Sequence, residues 1–260
     1  MNHLRKFELE NDYLQAKDSF VYPNVSYIVE KDILHYMKNS KYDFVDLGLP
    51  SGLKWAAWNV GATKPEDSGL YFAWGEDKGY VVTRGGEIDA INGQYNAIIK
   101  NADGSGTTKT FASGYTDYKH YDVSTSAFTK YNSTSGLTKI LANEDDGCYL
   151  AEKEMRMPTK EECEELIANT KHNWTDNYDG RGIKGMTFTS NTNGNSIFVP
   201  AVGAVSSGVL FNFGFVGAFW SSSLGSSSVE MAFSLGFGSR FLAVDNGGRF
   251  IGVPLRAVRK

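Results

Sequence analysis

"FSLGFGSRFLAVDNGGRF", residues 233–250, alternates large apolar residues with small ones at the two-residue period of a pleated strand. Leu235 and Phe237 stand on one parity and Ser234, Gly236 and Gly238 on the other. From Phe241 the pattern continues, with Phe241, Ala243, Asp245 and Gly247 on one parity and Leu242, Val244 and Asn246 on the other. One face therefore mixes an aromatic ring, a methyl group, a carboxylate and bare backbone. A face shaped for packing or catalysis would be more uniform, so these residues read as a display parity backed by a steadier scaffold parity.

The neighbouring sequence continues in strands. "GMTFTS", "NSIFVPAVGAV", "GAFWSSSL", "VEMAFSLGF" and "RFLAV" are short strand candidates separated by Gly and Ser turns. One helix is predicted before them, in "MPTKEECEELIAN". There Thr159 is placed to cap, Glu162 completes a capping box, and Cys163, Leu166 and Ile167 form the buried stripe. Further upstream, residues 79–147 are rich in Gly, Ser, Thr, Asn and Tyr and read as long loops and short hairpins. Trp55, Trp58, Trp74 and Trp220 are expected in the core, with Leu235 and Phe237.

Residues 1–40 lack Gly and carry more charge, which marks a small N-terminal attachment or oligomerisation module; residues 41–260 form the main domain. The 260 residues, 41% of them hydrophobic, suffice for a packed core. A formal net charge of -4 without long charge runs gives no electrostatic footprint for nucleic acid or an anionic membrane. No secretory signal pattern opens the chain and no stretch approaches membrane-spanning length, so a soluble protein made in the cytoplasm is expected, without membrane insertion. Cys148 and Cys163 cannot supply a disulfide framework and are expected to be free, buried thiols.

Signals for chemistry are weak. "GSGTTK" at 104–109 lacks the Gly-Lys-Ser/Thr ending of a phosphate loop and reads as a flexible polar loop. "NEDDG" at 143–147 lacks a dedicated Ca²⁺-loop spacing and reads as a turn. His3, His35, His120 and His172 stand in no metal-ligand spacing. Ser221, Ser222 and Ser223 lack the Gly-x-Ser-x-Gly elbow and are expected to satisfy backbone groups at a strand end. No catalytic residue, no cofactor and no metal are expected.

Several ordered phrases resemble one family: "VDLGLPSGLKWAAWNVGA", "YFAWGE", "RMPTKEECEEL", "TNGNSIFVPAVG", "FWSSSL" and "GVPLRAVR". They are similar to the Fibrobacter-type major paralogous domain of Bacteroidetes surface proteins, related to the formylglycine-generating-enzyme variant of the C-type lectin fold. The resemblance covers residues 43–260 and implies an α+β, C-type-lectin-like domain, loop-rich with few helices and short antiparallel strands. No cysteine lies in the C-terminal part of this chain, so the relative's cysteine-based oxidase chemistry has no residues to run on.

The C-terminal stretch, about 206–258, also resembles the variable region of proteins diversified by retroelements. Adenine mutagenesis of Asn codons in such systems never yields Lys, Glu, Gln, Met or Trp. The display residues Ser234, Gly236, Gly238, Phe241, Ala243, Asp245 and Gly247 stay within the permitted set. So do Phe213, Phe215, Val216, Ala218, Gly225, Ser226, Ser227, Phe250 and Ile251. The N-terminal module, with "LRKFELENDYL", resembles segments that begin structural proteins of Bacteroides-type phages. Together these imply a non-catalytic phage or prophage tail adhesin. Its partners would be a host cell-surface protein or glycan, further copies of itself and other tail components. A non-diversified bacterial surface module of the same family and an enzyme related to the formylglycine-generating fold are the alternatives.

Overall fold

Residues 42–133, 140–226 and 228–260 are described by a computed structural model of the chain. The module expected over residues 1–40 lies outside the described residues, as does Ser227. The predicted helix forms over Lys160–Asn169, and its capping box is complete. Thr159 Oγ1 accepts from the Glu162 N–H at 3.3 Å, while Glu162 Oε2 accepts from the Thr159 N–H at 2.8 Å. Arg156 closes a bidentate pair on the same carboxylate, both bonds 2.7 Å long. Cys163 and Leu166 are buried beneath this helix, and Ile167 is half-buried.

The α+β, lectin-like expectation is overturned: the chain is mostly β, 43% strand against 8% helix, arranged as several antiparallel sheets. Residues 79–147, where long loops and short hairpins were expected, contain a short hairpin, Tyr121–Asp122 with Ala127–Phe128, and a much longer one. Strand Tyr80–Asp89 pairs with Gln94–Asn101 as a long hairpin, setting Val82 opposite Ile99 and Thr83 opposite Ile98. β-Branched side chains at paired positions hold the hairpin together despite the polar, glycine-rich composition around them. Gly93 closes its turn at φ +67°, a conformation that other residues adopt only with strain. This hairpin is the centre of a six-stranded sheet that ends in the short strand Val253–Pro254.

The C-terminal strand candidates do form strands, and three of them pair with one another. Val216–Leu224, Met231–Gly238 and Phe241–Gly248 form a three-stranded antiparallel sheet in sequence order, so the second is the middle strand and the third an edge strand. Its scaffold parity enters one hydrophobic cluster: Phe219, Leu235 and Phe237 pack with Trp55, Cys163, Leu166 and Phe188, and Leu242 and Val244 lie against them. Trp220 instead joins a second cluster containing Trp74 and Leu255. Trp55, Trp74, Trp220, Leu235 and Phe237 are at most 1% exposed, as their size and pattern predict, whereas Trp58 is only half-buried.

Two arginines near the C-terminus bind these layers together. Arg256 is fully buried and donates to Asn59 Oδ1 and Ala56 O, both at 3.0 Å, and to Phe198 O at 3.1 Å. Arg249, equally buried, donates to the Tyr118 hydroxyl and to the carbonyls of Lys130, Tyr131 and Val229. Its guanidinium lies 4.4 Å from the Phe128 ring and 5.0 Å from that of Trp74, so a desolvated cation sits among aromatic faces.

Candidate functional site

The register of the three-stranded sheet decides which residues share a surface. Across the first and middle strands Val216 faces Gly238, Ala218 faces Gly236 and Trp220 faces Ser234. Across the middle and edge strands Gly238 faces Phe241, Gly236 faces Ala243 and Ser234 faces Asp245. Side chains directly opposite one another lie on the same face, so these pairs form one continuous surface three strands wide. Phe241, Ala243 and Asp245 on its edge strand are exposed, while Ala218, Ser234 and Gly236 in its floor are half-buried.

The floor is shallow. A side chain starting at Gly236 would meet only the Phe241 ring edge, 3.8 Å away. Phe241 is 49% exposed at one end of the face. Phe215, 44% exposed, lies just before the first strand, with the Lys184 ammonium 5.2 Å from its ring centre. Asp245 Oδ1 accepts from the backbone N–H of Asn246 at 2.7 Å. Two exposed rings, a carboxylate and a floor of small residues thus make a surface suited to contact rather than to chemistry.

Two predicted display positions share this parity but are not open. Gly247 lies beneath Trp220, whose ring would be 3.2 Å from a Cβ there, and Gly238 is buried beneath Phe241. Other predicted positions lie off the face altogether. Phe213 is half-buried against Tyr95, at 6.3 Å between ring centres, with the Arg84 guanidinium 4.8 Å from its ring. Phe250 packs edge-on against Tyr115, and Ile251 packs against the cluster of Trp74. Gly225 is buried, with Met231 O 2.8 Å from where a Cβ would stand, and Ser226 is exposed beyond the end of the first strand. The alphabet of permitted residues says nothing about which side of the fold a residue reaches, so it does not separate these positions from those on the sheet face.

The clustered polar groups elsewhere are engaged in structural contacts. Lys109, at the end of the stretch read as a flexible polar loop, is buried instead: it pairs with Glu76 at 2.8 Å and donates to Asp117 O. Burial holds the Glu76 carboxyl above its ordinary pKa even against the Lys109 charge. Within 143–147, Asp145 gathers Lys119, Lys130 and the Tyr131 hydroxyl, and these bonds outweigh burial to keep its pKa low. Asp146 accepts from Cys148, Tyr149 and Met157 N–H groups, so this segment is a short 3₁₀ turn leading into the helix Gly147–Ala151.

Cys148 and Cys163 are free and buried in different clusters, and burial pushes both thiols well above their ordinary range. That is the environment of an inert thiol rather than a nucleophile. Ser222 Oγ donates to Pro158 O, Ser223 Oγ accepts from Lys160 N–H and Ser221 Oγ accepts from Ser223 N–H, the backbone role expected of them. Among the described residues, no group of three or more His, Cys, Asp and Glu side chains is placed to hold a metal ion. No described helix is long and apolar enough to cross a membrane.

No family model matches the chain, and neither a curated protein nor a solved structure matches it.

Proposed function

We propose that this chain is a non-catalytic receptor-binding protein whose recognition surface is the open face of its C-terminal three-stranded sheet. Ala218, Ser234, Gly236, Phe241, Ala243 and Asp245 form the contact surface, with Phe215 at its margin. The observation that carries the reading is the split between parities. Leu235 and Phe237 are fully buried, whereas Ala243 and Asp245, in register with Gly236 and Ser234, are exposed. A scaffold built on one parity leaves the exposed positions of the other free to change, since exposed positions without special contacts typically shift stability by about 0.5 kcal/mol or less. The buried members of that second parity, Trp220, Ala232 and Gly238, are not free in this way.

Diversification of this face by a retroelement, in a phage or prophage tail adhesin, accounts for its mixed chemistry. Phe215 and Phe241 supply apolar contact and Asp245 supplies polar selectivity. Single contacts of this kind are modest, and display in several copies raises effective affinity by about two to four orders of magnitude. The buried, high-pKa thiols further favour binding over an enzyme role. The test is to randomise Ala218, Ser234, Ala243 and Asp245 and measure melting temperature and adhesion to Bacteroides-type cells. Variants that melt like the parent yet gain or lose adhesion are expected; general unfolding, or adhesion indifferent to all four positions, would overturn the reading.

A further inference from the structure

The edge strand Phe241–Gly248 pairs with the middle strand on one side, and among the described residues nothing pairs with its other side. Three hydrogen bonds establish which backbone groups point outward. Arg249 N–H donates to Glu230 O, in line with the ladder; Asn246 N–H turns instead to Asp245 Oδ1; and on the far strand Val216 O accepts from Gly203 N–H, outside the sheet. Antiparallel partners alternate between bonded and non-bonded pairs. All three observations give the same phase. Phe241, Ala243 and Asp245 bond to the middle strand, while Leu242 and Val244 direct both N–H and C=O away from it, and no other described element receives them.

We propose that an extended peptide docks on this edge as a fourth, antiparallel strand, held by main-chain bonds to Leu242 and Val244. This deepens the binding reading and rests on it, because the edge directly borders the open face. The spacing selects the ligand class: donor and acceptor recur together every second residue, about 6.8 Å apart, which is the repeat of another polypeptide strand. Its side chains on the open face would continue the surface past Ala243 and Asp245.

Cross-strand packing favours a foreign peptide over a second copy of this edge. Self-pairing through Leu242 and Val244 centres on Ala243 opposite its own equivalent, and an Ala–Ala pair contributes nothing beyond the baseline of a sheet. A strand with a large apolar residue opposite Ala243 gains contact that self-pairing lacks. Asp245, whose Oδ1 is already taken by Asn246 N–H, offers Oδ2 to a cation or hydroxyl on the opposing position. The preferred ligand is therefore an extended segment that places a bulky apolar residue beside a basic or hydroxylated one at two-residue spacing.

The experiment selects binders to the full chain from a random peptide display library, then resynthesises one with single backbone N-methyl groups walked along it. Methylation at alternate positions should weaken binding by about tenfold or more, and at the intervening positions by little. Amide exchange at Leu242 and Val244 should slow when the peptide binds. Uniform tolerance of N-methylation, no selectable peptide, or protection of both amides in the peptide-free chain through self-association would each overturn the proposal. If adhesion still depends on Asp245 and Ala243 while no peptide binds, the recognition face stands and the peptide inference alone fails. Adhesion indifferent to the face would remove both.

Discussion

Phe241 and Gly238 are cross-strand partners at the turn end of the sheet, and the aromatic ring occupies the space that a side chain at 238 would need. A Cβ at Gly238 would lie 2.7 Å from Phe241 Cε1 and 3.0 Å from the backbone oxygen of Phe215. The exposed ring is able to swing aside, but the carbonyl is not. Two residues earlier on the same strand, Gly236 on the same face has only a 3.8 Å contact. Gly238→Ala should therefore lower stability by about 1 to 3 kcal/mol through overpacking, while Gly236→Ala should be neutral within about 0.5 kcal/mol. Urea melts of the two variants measure the difference, and equal effects would show that the face is not open at 236.

The scaffold parity should respond in the opposite way. Phe237 is fully buried, meets Phe188 edge-on at 6.1 Å and lies over Gly217, where a Cβ would fall 2.1 Å from its Cζ. Phe237→Ala should cost about 3 to 5 kcal/mol, the usual range for emptying an aromatic core site. Asp245→Ala should cost about 0.5 kcal/mol or less. Equilibrium unfolding distinguishes these cases by sixfold or more in energy, taking the estimates at their nearest approach.

Arg256 should not be replaceable by lysine. Its guanidinium serves three acceptors from a fully buried position, and burial pulls its pKa down to about 9, leaving it charged at neutral pH. A lysine cannot reproduce the planar fork, and each buried acceptor left unpaired costs about 1 to 3 kcal/mol. The expected outcome of Arg256→Lys is a destabilised chain, read by thermal unfolding; a melt like the parent's would show that the fork is dispensable.

His120 carries a pH signature. Burial holds its pKa below the ordinary 6.5, although a bond to Gly75 O at 2.7 Å and the nearby Asp145 carboxylate oppose this. Between the depressed folded pKa and 6.5 the unfolded chain binds more protons than the folded one, so stability rises with pH through that window and is lost as pH falls below 6.5. The raised pKa of Glu76 acts with the opposite sign as pH rises above 4.5. Comparing the pH profile with that of His120→Gln isolates the histidine: the variant should lose part of the decline below 6.5, and superimposable profiles would refute the assignment.

The two thiols should be silent in the folded protein. Cys148 and Cys163 are 0% exposed, and their raised pKa values leave little thiolate at neutral pH. A thiol reagent should label neither residue until denaturant is added, which mass spectrometry of the two peptides will show. Rapid native labelling of either cysteine would indicate a reactive site.

Local chemistry was legible where neighbours in sequence are also neighbours in space. Thr159 and Glu162 cap their helix because both bonds close within one turn, and Leu235 and Phe237 face the core because pleating alternates sides at every residue. Short hairpins were expected over residues 79–147, but the length and register of Tyr80–Asp89 with Gln94–Asn101 were not legible, because polar composition hid the pairing of Val82 with Ile99 until the two strands met.

The period of the C-terminal strands, the scaffold parity and the capped helix are consequences of backbone geometry within a few residues and are written in the order of the amino acids. Which display positions reach open surface depends on long-range packing. Gly247 and Asp245 share a parity, yet Trp220 lies over the first while the second is exposed among the described residues. Phe250 and Phe241 are the same residue type, yet one is packed against Tyr115 and the other stands exposed. Exposure depends on what distant segments bring to lie above a residue, and side-chain alternation along one strand carries no record of that.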